Sequence, residues 1–485
     1  MPPDVRIIVV GGDLEAYLVA LFLCHTYPQA NLVLVDKPPT QLTLPAMTAG
    51  PSVVSLFARL KIAEESWMRE TGATYHFATR LDHFFSPQSH FWQSLEEIPH
   101  PPHQTLSAYL AAYCHYQKLA KTHASDELIA SVPLLQEGLI PRRLRCIGSP
   151  DYLAMGETRI YFPYGYHLDS EKTTHWLKRQ LIRQPQMRWV GADSVSVELR
   201  KDRSIAHLIL PTGEEIQGDL FMDCTGRALH LLSQVTPLPI ASPTPALLCD
   251  QLHVDYRPYM DPEKEMVGYM HIKAQNNGWN WAIPLSEGWQ VGSISSSAFT
   301  SQDKSTRFLS HRLLEPWAKN CLAIGSSAAC FEPLGISPLD LLASSLLQFP
   351  QKPLAAVYNK YFQGLTQAAY DYISAHYLLT SREETPFWQT AKFGSPSDSL
   401  LDRLESQRQG HYRHSDLLVP PWNWIQLFFG MNVYPTPPTD CVGEFLHFSH
   451  CLEAADWTNL LRESRKGHWP TPYHFIQGKR AKTSR

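Results

Sequence analysis

Apolar and polar positions follow a readable order from the first residues. Val5 to Val10 is an apolar, β-branched run, the pattern of a buried strand. Gly11-Gly12 interrupts it as a tight turn. From Leu14 to Cys24 the apolar residues take helical spacing, and Leu32 to Val35 is a second buried strand ending at Asp36. Strand, turn, helix and strand make a βαβ unit, and Asp36 stands where an acid would meet a ribose hydroxyl. Residues 55–125 are expected to be mostly helical and aromatic-rich, with a loop at His100-Pro101-Pro102-His103. Ser194 to Arg200, Ile205 to Leu210 and Ile216 to Cys224 predict a β-meander turning at Lys201-Asp202 and Pro211-Thr212-Gly213. Residues 236–245 are a Pro/Ser-rich connector, and helices are expected to dominate from about Leu339. Residues 478–485 form a short basic tail. The chain thus divides into an α/β part, residues 1–340, with an inserted helical segment near 55–125, and a mainly helical region, residues 341–485.

The bulk numbers narrow the classes. At 485 residues, with 44% hydrophobic and 18% charged, the chain is long enough for a large core and is not a disordered sequence. A net charge of −4 gives no sign of a nucleic-acid partner or an anionic membrane. No stretch approaches a charge-free membrane span. Nine cysteines without a Cys-x-x-Cys spacing suggest reduced thiols in a cytoplasmic protein. The His100/His103 and His447/His450 pairs have no third ligand at a sensible spacing, so no metal is expected.

Candidate chemistry begins with Gly278-Trp279-Asn280-Trp281-Ala282-Ile283-Pro284-Leu285. Strand alternation puts both indoles on one face. They read either as core bulk or as a flat wall between two compartments of a site. A dinucleotide loop uses Gly-x-Gly-x-x-Gly for its turn, for close approach to the diphosphate and for helix packing. Its positions here are Gly11, Asp13 and Ala16. Asp13 either caps the helix or sets a negative charge where a diphosphate should lie.

The Trp279 string resembles the Trp-x-Trp-x-Ile-Pro signature of the flavin-dependent tryptophan halogenases, where it lines the passage between flavin and substrate. Several further segments are similar to that family in the same order. They are Tyr166-His167-Leu168-Asp169, Phe221-Met222-Asp223-Cys224-Thr225-Gly226, Asn320-Cys321-Leu322-Ala323-Ile324-Gly325, Phe331-Glu332-Pro333-Leu334, the run from His376 to Trp388, and Trp424-Ile425-Gln426 with Gly430. The resemblance implies the FAD-binding flavoprotein-monooxygenase fold. It implies FAD beside Gly11, Gly12, Asp13, Ala16, Asp36, Asp223, Gly226, Gly325, Pro333 and Leu334. It also implies an aromatic small-molecule substrate. No second glycine fingerprint for NAD(P) is found, so reduced flavin would come from a separate reductase. A homodimer is one of the assemblies open to the chain.

Departures fall on the reaction motifs. In Ala73-Thr74-Tyr75-His76-Phe77-Ala78-Thr79-Arg80, His76 takes the place of the family's lysine, the group that meets hypohalous acid beside the arene. A mostly neutral imidazole is a poor copy of an ammonium. After Glu332-Pro333-Leu334 the family's glutamate is replaced by Gly335. In the family the halide is held partly by main-chain N–H groups in this loop, and here Ser337 is followed by Pro338, which has none. The family's flavin loop falls on Leu44 to Ala49 without its glycines and acid. Its substrate-stacking region falls on Trp92-Gln93-Ser94. Three readings stay open. The first is a family member that has lost halogenation and binds a ligand or partner. The second is an FAD-dependent oxidoreductase with changed chemistry that uses His76. The third is a halogenase in which His76 does the work of the lysine.

Overall fold

The structure, a computed structural model, describes residues 5–38, 44–120, 125–156, 158–237, 240–241, 247–300, 305–349, 354–412, 416–435, 443–464 and 469–478. The basic tail beyond Gly478, part of the 236–245 connector and the His447 side chain lie outside them.

The expected βαβ unit forms. Strands Arg6–Val10 and Asn31–Asp36 run parallel around helix Leu14–Thr26, which is buried along almost its whole length. A parallel strand covered on both faces needs an unbroken apolar run, and both strands have one. The sheet continues through Leu220–Asp223 and Cys321–Ala323 on one side and Met187–Gly191 on the other. Its register sets Val10 beside Asp223, so the carboxyl ends of these strands share one edge.

A second sheet of seven strands contains Gln251–Pro258, Gly288–Ser295, Gly278–Pro284, Tyr269–Gln275, Ala78–Asp82 and His90–Ser94 in adjacent order, with Thr306–Arg307 at one end. A small sheet places Gly165–Asp169 between Ala46–Ala49 and Thr74–His76. From Pro338 on, every described element is a helix, as expected.

Two expectations change. Residues 55–125 are not mostly helical, because Thr74–His76, Ala78–Asp82 and His90–Ser94 are strands. Their β-branched and aromatic residues find partners far away in sequence, at Gly165–Asp169 and Tyr269–Gln275. The meander Ser196–Leu199, Ile205–Ile209, Glu215–Gln217 stops at Gly218, and Leu220–Asp223 leaves it for the parallel sheet. A Cβ at Gly218 would lie 2.6 Å from the Ile8 side chain, so only glycine passes that crossing.

Candidate functional site

Where the parallel strands end, a crevice of ≈ 590 Å³ opens, lined by Asp13, Leu14, Glu15, Arg227, Pro333 and Pro338 among others. The turn that leads into it depends on two glycines. A Cβ at Gly11 would lie 2.5 Å from the Cys224 carbonyl oxygen, and one at Gly12 would lie 2.3 Å from that of Lys37. This is the close backbone approach that a dinucleotide turn requires.

The polar groups around the crevice are already engaged. Asp13 caps helix Leu14–Thr26, its Oδ1 accepting from the Ala16 N–H at 2.9 Å. Burial raises the pKa of this carboxyl, with backbone hydrogen bonds opposing. Glu15 Oε2 accepts from the Ser326 N–H at 2.7 Å. Burial, and then the charge of Asp13, push the Glu15 carboxyl up to about 7. Asp36, expected on a ribose, accepts from the Tyr17 hydroxyl at 2.9 Å and the Lys178 ammonium at 3.2 Å. Asp223 is buried and accepts from Thr225 N–H and Oγ1 and from the Leu231 and Leu232 N–H groups, so it ties its own turn together. Gly226 gives its N–H to Ser327 Oγ, while Ala16 and Leu334 are buried. Among the expected cofactor residues, Asp13 and Pro333 line the crevice, whereas Gly11, Gly12, Ala16, Asp36, Asp223, Gly226, Gly325 and Leu334 do not. The residues present do not fit the FAD diphosphate in the ordinary way. Two half-buried carboxyls, Asp13 and Glu15, hold the N–H groups that such an anion would use.

Beyond the crevice lies the inner face of the seven-stranded sheet. Trp279, Trp281 and Ile283 share this face and are buried, whereas Asn280 between the two indoles is exposed. Trp279 Nε1 donates to Glu332 Oε2 at 3.2 Å and to the Tyr377 hydroxyl oxygen at 3.0 Å. The Tyr377 hydroxyl donates to the same carboxyl oxygen at 2.7 Å. Burial lifts Glu332 to about 7, opposed by the Tyr377 and Trp279 hydrogen bonds. Trp281, Ile283, Thr48, Pro333, Ser337 and Pro338 surround a gap of ≈ 20 Å³, room for about one water. This gap brings the two-Trp strand to the loop expected to hold halide. Ser337 caps helix Pro338–Leu347, and its Oγ accepts from the Leu339 N–H.

His76 lies on the small sheet, on the face it shares with Thr74 and His167. The Thr74 hydroxyl donates to the Pro284 carbonyl at 2.6 Å, which ties this sheet to the two-Trp strand. Burial drives the His76 imidazole down to about 3. Its ring meets that of His167 edge-on, 4.8 Å between centroids. His76 Nδ1 and both His167 nitrogens have no hydrogen-bond partner among the described residues. Burial, and then His76, hold His167 well below its ordinary pKa. Both imidazoles are therefore neutral near pH 7.

Gly335 has φ +72, and a Cβ there would lie 2.9 Å from Tyr372 Cε1 and 3.4 Å from His376 Cε1. The His376 Nδ1–H donates to the Tyr372 carbonyl at 2.8 Å, leaving Nε2 to accept from Gln93 Nε2 at 3.0 Å. Trp92, the expected substrate residue, is on the opposite face of the sheet. It packs against Tyr269 and under Arg80. Strand alternation sends its neighbour Gln93 inward instead.

Among the described residues, no three His, Cys, Asp or Glu side chains are placed to share a metal, and no helix is long and apolar enough to cross a membrane.

The sequence model of the family described as "Tryptophan halogenase" matches residues 6–445. The chain belongs to the tryptophan halogenase family. It is 26% identical over 447 residues to Tryptophan 7-halogenase KtzQ of Kutzneria sp. (strain 744), covering 83% of this chain and 81% of the relative. It is 24% identical over 450 residues to Tryptophan 6-halogenase ThaL of Streptomyces albogriseolus, covering 83% and 82%. The crystal structure of the Tryptophan 6-halogenase SttH of Streptomyces toxytricini superimposes with a TM-score of 0.85. It covers 98% of this chain and 99% of that one at 21% identity. The FAD-binding fold of the family is therefore the fold of this chain.

Sequence reasoning passed over several of this family member's site residues. Glu15 was legible in principle, since it lies inside the fingerprint. His167 sits in a recognised motif, and alternation alone sets it beside His76 only once the strand pairing is known. Gln93, Tyr372 and His376 meet across about 280 positions of chain, and no local pattern announces that.

Proposed function

We propose that this protein is a tryptophan halogenase family member that does not halogenate, and that it uses its aromatic interior to bind an aromatic small molecule. The observation that carries this reading is the packing at Gly335. The site of the family's glutamate is filled by the Tyr372 ring, 2.9 Å from where the first side-chain carbon would stand. Two further features support it. His76 is buried with its pKa near 3, so at neutral pH it carries neither the charge nor the donors of an ammonium. Pro338 lines both the crevice and the adjoining gap and offers no N–H to a halide. The same burial weighs against His76 as a proton donor in a different oxidoreductase reaction, because a catalytic acid works best with a pKa near the operating pH.

The test supplies FAD, a flavin reductase, NADH, oxygen and bromide or chloride, with tryptophan, indole and phenol as substrates. Products are read by mass spectrometry for a halogen isotope pattern. No halogenated product above the free-hypohalite background is expected. A regioselective product that disappears in His76→Ala would overturn the reading.

A further inference from the structure

We infer that the dinucleotide crevice of this chain is closed to FAD by its own acids, with the Glu15 carboxyl in the seat of the diphosphate. A diphosphate at such a turn is held by N–H groups at the start of the helix and at the facing strand end. In this chain both sources are taken. The Ala16 N–H is given to Asp13 Oδ1, and across the crevice the Ser326 N–H is given to Glu15 Oε2. The Glu15 carboxyl lies against Gly325, where a Cβ would stand 2.5 Å from Oε2, so this carboxyl bridges the helix start and the strand end. The fingerprint residues Gly11, Gly12 and Ala16 keep the turn, while two of the three crevice-lining positions between them, Asp13 and Glu15, carry acids.

Space and charge act together. A phosphate entering would displace Glu15 from its N–H partner and meet Asp13 within the same turn. Arg227 and Arg307 also line the crevice, with Asp250. Asp250 is held by the Ser297 N–H and hydroxyl. The arginines therefore sit in a crevice with three acids, two of which occupy the diphosphate's own contacts. This inference concerns the crevice and is read by flavin binding, apart from the Proposed function reading of His76 and Gly335.

The experiment titrates the purified full chain with FAD, and separately with riboflavin, which has no phosphate. Binding is read by flavin fluorescence and by the flavin absorbance that survives gel filtration. Four forms are compared: wild type, Asp13→Ser, Glu15→Gln and Asp13→Ser/Glu15→Ala. Serine retains the helix cap without the charge, and glutamine retains an acceptor for the Ser326 N–H. Wild type is expected to leave gel filtration without flavin. The double variant is expected to bind FAD about tenfold or more tightly than wild type, the scale of relieving one like-charge contact near a surface. Glu15→Gln should gain less, and riboflavin affinity should be unchanged in both single variants. The inference fails if wild type carries stoichiometric FAD. It also fails if the two single variants, with thermal midpoints like wild type, bind FAD no better than wild type. None of these readouts requires turnover, so wild type that binds FAD without forming product would overturn this inference and leave the Proposed function in place.

Discussion

Gly335→Ala isolates the packing on which the functional reading rests. Two costs apply. The residue has φ +72, a left-handed conformation that costs an L-residue about 1 kcal/mol or more. The new methyl would also stand 2.9 Å from Tyr372 Cε1. Tyr372 cannot swing aside cheaply, because its ring is buried edge-on against Trp424 at 5.0 Å and His376 at 5.3 Å. Overpacking of this kind costs about 1–3 kcal/mol. The sum is about 3 kcal/mol, or about 3 °C in the thermal midpoint if the chain unfolds as one unit. Gly138→Ala is the matched control. Gly138 has φ +74 and nothing within 4 Å of its Cβ position, so that variant bears the backbone cost alone, about 1 kcal/mol. Both variants are measured by thermal and urea unfolding against wild type. Equal losses in the two would refute the claim that Tyr372 fills the glutamate's place. The same argument alters the route back to catalysis. A combined His76→Lys, Gly335→Glu, Pro338→Gly change must also shorten Tyr372, since glutamate meets the same ring.

Other measurements follow from the buried groups. His76 in the folded chain takes its proton only near pH 3, whereas an unfolded histidine does so near 6.5. The unfolded state therefore binds more protons between these values. The stability is complete above about pH 6.5 and falls as pH drops, by about 1.4 kcal/mol per pH unit from this residue. His76→Gln should flatten the fall in urea midpoint between about pH 6 and pH 4 relative to wild type, and parallel curves would contradict the burial argument. Asp223→Asn replaces an acceptor of four hydrogen bonds with a carboxamide whose NH2 faces donors, and should lower stability by about 3 kcal/mol in urea unfolding. A neutral effect would mean that Asp223 does not tie its turn. Trp279→Phe removes the donor to Glu332 and Tyr377 and should cost about 2 kcal/mol, whereas Asn280→Ala on the exposed face should cost almost nothing.

Local pattern determined a good deal of this protein. The βαβ unit was written in an unbroken apolar run, two glycines and a helical repeat, since a buried parallel strand has no other composition available. The pairing of the Trp279 and Trp281 faces followed from a period of two. The replacements at positions 76, 335 and 338 were visible because the flanking motifs held their spacing. Tertiary structure decided what each replacement meant. Whether Asp13 points at a ligand or caps its helix depends on one torsion and one hydrogen bond, and both residue types and spacing allow either. Asp36 is satisfied by Tyr17 and Lys178 and Asp223 by its own turn, and residue types alone do not show either. That Trp92 turns away while Gln93 turns in follows from strand pairings between distant segments. The same is true of the strands within residues 74–94, which no helical or alternating count separated from their surroundings. A sequence carries its short-range preferences in the open. The state of a buried acid, imidazole or glycine is set by the neighbours that folding brings to it, from three residues away for Asp13 to 311 for Glu15.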